Sequence, residues 1–587
     1  MRRGSEEFMM SAIPKKHAKR VLLTVLGMDP KQTTYTLEGR EATSNLAPAA
    51  LVSLLGERRC PDLVVALCTQ EAREKSFCQL EQAVSKTCEV RCIDVRLSAT
   101  QESVKEFLAR AVDGVPDGDV DLVVDITHGF RHFSILTYVV ALYLVALGKV
   151  RLEAVYYGIL RQNQPNTPFL DLRPLLELPR WIHAIDVFRD TGSAQPIAKI
   201  LQSTRNDNIS RRLSCALSRI SQAFLSGLPI ELGREARVFV DQLQRPLRQQ
   251  LDRTLPLGDE LSSRLKKVLT EFALEDLPSG AGWKRKVPIS PNELQRQARI
   301  IDALFDGKHI STALGLLSEW TVSWVVWHLG RTNEWLDYRD ARWAAANVLG
   351  ALAAAKRDPD LTRLLTDEQE KIAEYWQDLS NLRNAYHHQG MRGQDLIGDE
   401  TLESQIRKVR DIWNKMLRTC TMDLSLDPGS DGGTVLVTPL GMRPGVLFSA
   451  LRACAAGSGF PEKCFVICSE QTAKSAAGAA ERAGFTGVIE KVLIDPFGGP
   501  AEINALIKKI RPEIFRAKQV LVNITGGTTL MGLAAEKIAA EALNLARPVR
   551  RFGLIDRRRS GEQEADPYQV GELFWVDEEK TDGDRND

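Results

Sequence analysis

The chain has 587 residues, enough for three or four domains at roughly 150 residues each. It is 44% hydrophobic and 26% charged, which excludes a disordered or fibrous chain. Its 77 Lys and Arg against 76 Asp and Glu leave a formal charge of +1, which excludes a uniformly basic nucleic-acid-coating protein and leaves such contacts to local patches or a dimer groove.

The basic start (Arg2, Arg3, Lys15, Lys16, Lys19, Arg20) precedes Val21–Leu26, an apolar run too short for a signal-peptide core and without a cleavage site. Val21–Leu26, Leu63–Cys68, Val90–Val95, Leu122–Ile126 and Leu152–Tyr157 read as strands, with helical patterns between them at Glu71–Ser85 and Glu102–Ala111. Apolar strands alternating with helices predict a parallel sheet covered on both faces. Phe133 to Leu147 is the longest apolar stretch; it contains Ser134, Thr137 and Tyr138, is shorter than the ~18 residues needed to span a bilayer, and reads as a buried helix. From about residue 186 to 425 the patterns are helical, most clearly at Ile310–Trp327 and Asp367–His388, with a loop at Leu277–Gly282. After the Pro/Gly/Asp linker Leu426–Gly433, strands return at Val435–Pro439, Cys464–Cys468, Val492–Ile494, Val520–Ile524 and Val549–Ile555. The polar, acidic tail beyond Asp577 reads as disordered. The resulting division is an α/β domain over 1–185, a helical domain over 186–428, a second α/β domain over 429–577 and a tail over 578–587.

Ten cysteines in a chain this long do not make a disulfide scaffold. Cys88/Cys92 and Cys464/Cys468 are spaced C-x3-C with no histidine nearby, so they read as reduced core thiols of a cytoplasmic protein, and no zinc site is visible.

The two ends of the chain resemble each other. Val21-Leu22-Leu23-Thr24-Val25-Leu26-Gly27 parallels Val435-Leu436-Val437-Thr438-Pro439-Leu440-Gly441, and Asp125-Ile126-Thr127-His128-Gly129 parallels Asn523-Ile524-Thr525-Gly526-Gly527. Both motifs fall at the first and fourth strand ends of their segments, which implies duplication of one α/β domain. Ligands of open parallel sheets bind beyond the C-terminal strand ends, and exposed N–H groups at a helix start attract phosphate. Gly27, Gly129, Gly526 and Gly527 let backbone approach a ligand; Thr127, Thr525, Thr528 and Thr529 add hydroxyls; His128 and Arg131 add switchable or positive groups. Each glycine alone is equally well explained by a tight turn. The repeated constellation favours a polyanionic ligand, and the absence of G-x-G-x-x-G disfavours a dinucleotide.

In the middle of the chain, Leu379-Ser380-Asn381-Leu382-Arg383-Asn384-Ala385-Tyr386-His387-His388-Gln389-Gly390 closes a helix whose Ile372, Tyr375, Trp376, Leu379 and Leu382 form the packed face. RNA can be cleaved when its own 2′-hydroxyl attacks the adjacent phosphate. A histidine can move the proton, an arginine can neutralise the phosphate, an asparagine can orient it, and no metal is required. Arg383, Asn384 and either His387 or His388 supply those groups. The plainer reading is a solvated helix end whose histidines favour the negative end of the dipole.

Asp125-Ile126-Thr127-His128-Gly129-Phe130-Arg131 resembles the DxTHG motif of CRISPR-associated CARF domains. Leu26-Gly27 with Thr33-Thr34-Tyr35, Tyr156-Tyr157-Gly158, and Asp171-Leu172 with Trp181 are similar to other parts of that family's pattern, over about residues 20 to 185. Asn523-Ile524-Thr525-Gly526-Gly527-Thr528 resembles the N-x-T-G-G-T loop of other CARF domains, over about 434 to 576. Arg383 and His388, with Asn384 after the arginine, resemble the R-x4–6-H motif of HEPN ribonucleases.

The resemblance implies two Rossmann-like CARF domains flanking an all-α HEPN domain. It implies a cyclic-oligoadenylate-activated, metal-independent single-stranded RNA endonuclease of type III CRISPR defence, with tetra-adenylate the favoured activator and no other cofactor. The ligand residues it implies are Gly27, Thr33, Asp125, Thr127, His128, Gly129, Arg131, Asn523, Thr525, Gly526, Gly527 and Thr528. The catalytic set is Arg383, Asn384 and His388, with His387 as the second candidate. Such domains work as homodimers, which would place two copies of Arg383 and His388 in one groove, extended by Trp283-Lys284-Arg285-Lys286 and Arg557-Arg558-Arg559. Products would carry a 2′,3′-cyclic phosphate and a 5′-hydroxyl. Thr529 stands where many CARF loops have lysine after G-G-T, which disfavours ring cleavage by the C-terminal domain. The rival readings are a catalytically silent sensor, a ring nuclease and a HEPN toxin outside CRISPR.

Overall fold

The computed structural model describes residues 18–28, 31–96, 100–160, 166–204, 208–242, 258–391, 400–418, 426, 427, 429, 432–457 and 459–577. The basic start before Ala18, the 578–587 tail and Pro428, Ser430 and Asp431 of the linker lie outside the described residues. The chain divides into two compact units, 1–186 and 187–587.

The first unit is built on β1 (Lys19–Val25), β2 (Thr33–Leu37), β3 (Arg40–Ser44), β4 (Leu63–Cys68), β5 (Glu89–Asp94), β6 (Val120–Asp125), β7 (Val150–Gly158) and β8 (Asn166–Asp171), in the sheet order β3-β2-β8-β7-β6-β1-β4-β5. The five strands β5-β4-β1-β6-β7 are parallel, with Val21 opposite Leu63 on one side and Leu122 on the other. All six residues of β4 are buried, because helices cover both faces and leave no solvent side to alternate toward. The β2–β3 hairpin and β8 are additional to the five strands read from sequence. Their alternating, threonine-rich runs bury only part of each strand, and the turn is made by Glu38 and Gly39 at φ 50° and 78°, the left-handed pair a tight hairpin requires.

The second unit contains helices and a sheet. Its strands are β9 (Thr434–Leu440), β10 (Lys463–Cys468), β11 (Val488–Leu493), β12 (Gln519–Asn523), β13 (Val549–Ile555) and β14 (Glu572–Trp575), ordered β11-β10-β9-β12-β13-β14. Read across the sheet, β11-β10-β9-β12-β13-β14 repeats β5-β4-β1-β6-β7-β8, including the antiparallel last pair. The duplication inferred from two motifs therefore extends to the topology of six strands. The first unit alone adds the hairpin.

The helices before this sheet include Pro229–Gln242, Pro291–Asp306, Ile310–His328, Ala341–Lys356 and Asp367–His387. Their core holds the fully buried Trp320, Trp324, Tyr375 and Trp413. The buried indole N–H of Trp320 donates to Leu294 O at 2.8 Å, and Thr321 and Tyr375 share a hydrogen bond of 2.9 Å, whereas the buried indole N–H groups of Trp324 and Trp413 have no partner among the described residues. Ala355 and Leu361 belong to the same buried cluster as Val437, Ile510 and Ile538 of the second α/β segment. Arg511 reinforces the contact by donating to Asp358 at 2.6 Å. Among the described residues, no helix is long and apolar enough to cross a membrane. The apolar stretch from Phe133 lies in the helix Arg131–Ala146, where Phe133, Val140, Ala141 and Leu144 are buried.

Candidate functional sites: two glycine-lined crevices and an Arg–His cavity

In each sheet the chain runs outward from the first strand in one direction and then returns to build in the other. The switch falls between β1 and β6 in the first sheet and between β9 and β12 in the second. Loops leaving neighbouring strands at such a point part company, and the gap between them is where ligands of this architecture bind. Gly27 and the 126–130 loop flank the first gap; Gly441 and the 524–528 loop flank the second.

The two loops are braced alike. Asp125 is fully buried; its Oδ2 accepts the Thr24 hydroxyl at 2.8 Å, and its Oδ1 accepts the Thr127 N–H at 3.0 Å and hydroxyl at 2.5 Å. The Thr127 oxygen in turn accepts the Gly158 N–H at 2.9 Å. In the second loop Asn523, also fully buried, donates to the Thr438 hydroxyl at 2.9 Å and accepts the Thr525 N–H at 2.9 Å, while Thr525 Oγ1 accepts the Leu554 N–H at 2.7 Å. Where Asp125 accepts from Thr24, Asn523 donates to Thr438: a hydroxyl serves either role. Asp125, Thr127, Asn523 and Thr525 are thus joined to the strands they follow, and they hold the loops in shape.

The glycines meet a steric need. Gly129 sits at φ 96°, and a Cβ there would lie 2.6 Å from Val25 Cγ1. Gly526 and Gly527 sit at φ 98° and 74°, and a Cβ on Gly527 would lie 3.0 Å from Pro439, the counterpart of Val25. A Cβ on Gly27 would lie 3.6 Å from Gly129 N, and one on Gly441 would lie 3.1 Å from Gly527 N, so each first-strand glycine faces the glycine of the opposing loop. Thr528 caps the helix Thr529–Asn544, accepting from Met531 N–H; Arg131 opens the helix Arg131–Ala146 and is exposed.

The first crevice differs in its side chains. His128 Nε2 lies 3.1 Å from the Tyr35 hydroxyl. Burial pushes the His128 pKa below its ordinary value of 6.5, opposed by the Asp125 carboxylate. Burial, with Asp125 adding to it, pushes Tyr35 up to about 12. Thr33 shares a hydrogen bond of 3.1 Å with Thr167, whose methyl lies against Gly158, so Thr33 stands one residue removed from the Thr127 brace. Ser76, which the motif reading did not include, is fully buried and donates to Gly27 O at 2.7 Å. Its counterpart Thr472 donates to Leu440 O at 3.0 Å. Comparison of the two halves beyond their two obvious motifs is the signal that would have found this pair.

In the helical segment, Thr366 and Gln369 form a capping box at the start of Asp367–His387. The end is made by His388 as C-cap, followed by Gln389 and Gly390 at φ 52° and 75°, the left-handed termination expected of Gly390. Arg383 and His387 are one turn apart on a single face and both line a cavity of about 540 Å³. His388 does not belong to the lining. Arg383 donates to Asn384 Oδ1 at 3.2 Å, and no carboxylate among the described residues pairs with it. The His387 ring makes no hydrogen bond to another described residue, and it faces Gly315, where a Cβ would lie 3.3 Å from Nε2. The structure therefore brings Arg383 together with His387, where motif spacing pairs it with His388.

The basic runs are largely neutralised locally. Lys284 pairs with Glu231 at 2.6 Å, Arg557 with Glu572 at 2.7 Å and Arg558 with Asp556 at 2.7 Å. Cys88, Cys464 and Cys468 are buried thiols and Cys92 is half-buried. Among the described residues no cluster of three His, Cys, Asp or Glu side chains is placed to hold a metal ion.

No protein-family model matches the chain. Over 128 residues it is 29% identical to a CRISPR-associated protein of Methanocaldococcus jannaschii, a match that covers 22% of this chain and 19% of that protein. The matched segment thus spans about a fifth of that relative's length. Among solved structures, Enterococcus italicus Csm6 bound to cyclic hexa-2′-fluoro-hexa-dAMP aligns over 70% of this chain and 96% of its own, at 10% identity and TM-score 0.32. A type III CRISPR defence DNA nuclease activated by cyclic oligoadenylate aligns over 91% of this chain and 65% of its own, at 12% identity and TM-score 0.16. What the chain itself establishes is a pair of parallel-rich α/β sheets of one topology, with a similarity in sequence to a CRISPR-associated protein.

Proposed function

We propose that the chain is a cyclic-oligoadenylate-responsive ribonuclease of CRISPR defence, of CARF–HEPN–CARF organisation. The observation that carries this reading is the pairing of Arg383 and His387, neither bound to an acidic side chain, on one helix face at a cavity. In this reading Arg383 holds the scissile phosphate with its fork of donors, and Asn384 steadies that guanidinium. His387 takes the 2′-hydroxyl proton or delivers one to the leaving 5′-oxygen. His388, at the helix cap, is the alternative proton carrier. The products are a 2′,3′-cyclic phosphate and a 5′-hydroxyl. The active form is a homodimer with two such sites.

The glycine loops at the two switch points are the proposed ring sites. Backbone N–H groups and the starts of the helices Arg131–Ala146 and Thr529–Asn544 attract phosphates. His128, Arg131 and Tyr35 give the first crevice side chains that the second lacks. Activation requires only that the ring bind the cutting arrangement more tightly than the resting one.

The test is cleavage of a fluorescent single-stranded RNA in EDTA, with no ring, cyclic tetra-adenylate or cyclic hexa-adenylate. Ring-dependent cutting that Arg383→Ala abolishes is the expected result. Ring binding without cutting would replace the nuclease with a sensor, or with an enzyme that degrades the ring.

A further inference from the structure

The Arg383–His387 cavity continues beyond those two side chains. Its wall includes Gln297 on the helix Pro291–Asp306, Glu319 and Ser323 on Ile310–His328, and Trp335 and Tyr338 in the connection that follows. At about 540 Å³ it is the size of a small-molecule site rather than a packing defect. A phosphate and a proton carrier need no such depth.

The polar groups in the wall are held in fixed positions. Gln297 is only 2% exposed, and its Nε2 donates to Glu293 Oε1 at 2.8 Å. Glu293 is itself held by two bonds from the buried Arg296, at 2.7 and 2.6 Å. The amide of Gln297 is thereby oriented, and its Oε1 has no hydrogen-bond partner among the described residues. That oxygen is left to accept a hydrogen bond from whatever occupies the cavity. Glu319, whose side chain is 51% exposed, adds a second acceptor: Arg342 donates to its Oε2 at 2.5 Å and to Ser323 Oγ at 3.0 Å, which leaves Glu319 Oε1 for an occupant. Tyr338 also lines the cavity and is 74% exposed, with no aromatic ring stacked on it among the described residues.

We propose that this cavity receives a nucleobase of the RNA next to the scissile phosphate, and that Gln297 and Glu319 select a base carrying an exocyclic amine over uracil. Two acceptors in the wall favour an N–H2 group, whereas the carbonyl at the equivalent edge of uracil would face them without a donor. Tyr338 stacks on whichever base enters and so contributes affinity without discrimination. That the occupant belongs to an RNA substrate rests on the ribonuclease reading above; the binding chemistry of the cavity does not.

The test has two arms on the full chain. In the first, the 3′-monophosphates of adenosine, cytidine, guanosine and uridine are titrated by calorimetry. The expected result is that uridine monophosphate binds at least about fivefold more weakly than the tightest amine-bearing nucleotide, the lower limit of one well-made base contact. Gln297→Met, of similar volume and apolar, should erase that difference. Tyr338→Ala, an exposed position that folding does not need, should weaken all four alike. Equal binding of the four, no binding, or discrimination that survives Gln297→Met would each overturn the proposal. In the second arm, ring-stimulated RNA cleavage is measured with and without Arg383→Ala. Failure of cleavage with discrimination intact removes the nuclease and leaves the base pocket; Arg383-dependent cleavage without discrimination does the reverse.

Discussion

The two buried braces offer a matched perturbation, because one half of the chain already contains the residue that tests the other. Asp125→Ala would leave the Thr24 hydroxyl and the Thr127 N–H and hydroxyl without their acceptor. At about 1–3 kcal/mol for each buried donor left unpaired, the local cost is roughly 2–6 kcal/mol once one of the three finds another acceptor. Asp125→Asn keeps Oδ1 for both Thr127 bonds and lets Nδ2 donate to Thr24 Oγ1, the arrangement Asn523 makes with Thr438. Its cost should be about 1 kcal/mol, the loss of charge assistance alone. Hydrogen exchange of the β6 segment reads this directly: each ~1.4 kcal/mol speeds opening-limited exchange tenfold. Asp125→Ala should therefore accelerate it by at least about 25-fold and Asp125→Asn by about fivefold. The Asn variant should also lower the His128 pKa further, because it removes the Asp125 charge that opposes the effect of burial. Equal damage from the two substitutions, or a rise in the His128 pKa, would refute the claim that hydrogen-bond geometry, not negative charge, is what the position demands.

His128 is half-buried and its pKa lies below 6.5, so the unfolded chain binds more protons than the folded one as pH falls through that value. Stability of the first unit should decline from about pH 6.5 downward, and His128→Gln should flatten that slope in chemical-denaturation titrations between pH 7 and 5. His387→Ala should abolish cleavage at saturating ring while His388→Ala retains more than about a tenth of it; the opposite order would return the proton to His388. Gly315→Ala should leave the helix as stable or more so by ~0.5–1 kcal/mol, yet slow cleavage, because the new Cβ at 3.3 Å from His387 Nε2 displaces the ring; unchanged cleavage would place catalysis elsewhere. Gly129→Ala and Gly527→Ala should each cost at least ~2 kcal/mol through positive φ together with contact on Val25 or on Pro439 and Met531, measured by hydrogen exchange of the adjoining loop; wild-type protection would show that the loops move aside at no cost.

The linear sequence determined the strand-and-helix alternation at both ends, because buried parallel strands must be apolar throughout and are bounded by turn residues: Leu63–Cys68 was legible for that reason. It also revealed the duplication, since Thr24 and Asp125, like Thr438 and Asn523, occupy positions that a single hydrogen bond links. It did not disclose the β2–β3 hairpin, β8 or β14, whose runs are short, half-exposed and weakly apolar and depend on a neighbouring strand to pair with. The Arg383–His388 spacing was visible as a pattern, but a pattern counts residues and a helix turns them through 100° each. Helical spacing already puts His387 one turn on from Arg383; only the packed structure shows that these two line one cavity, with His387 facing Gly315 and His388 outside the lining. Gln297, Glu319 and Tyr338 are unremarkable in sequence and lie far from Arg383 along the chain. They share one cavity wall because three helices and the connection after them pack there, and long-range packing is what local propensity cannot encode.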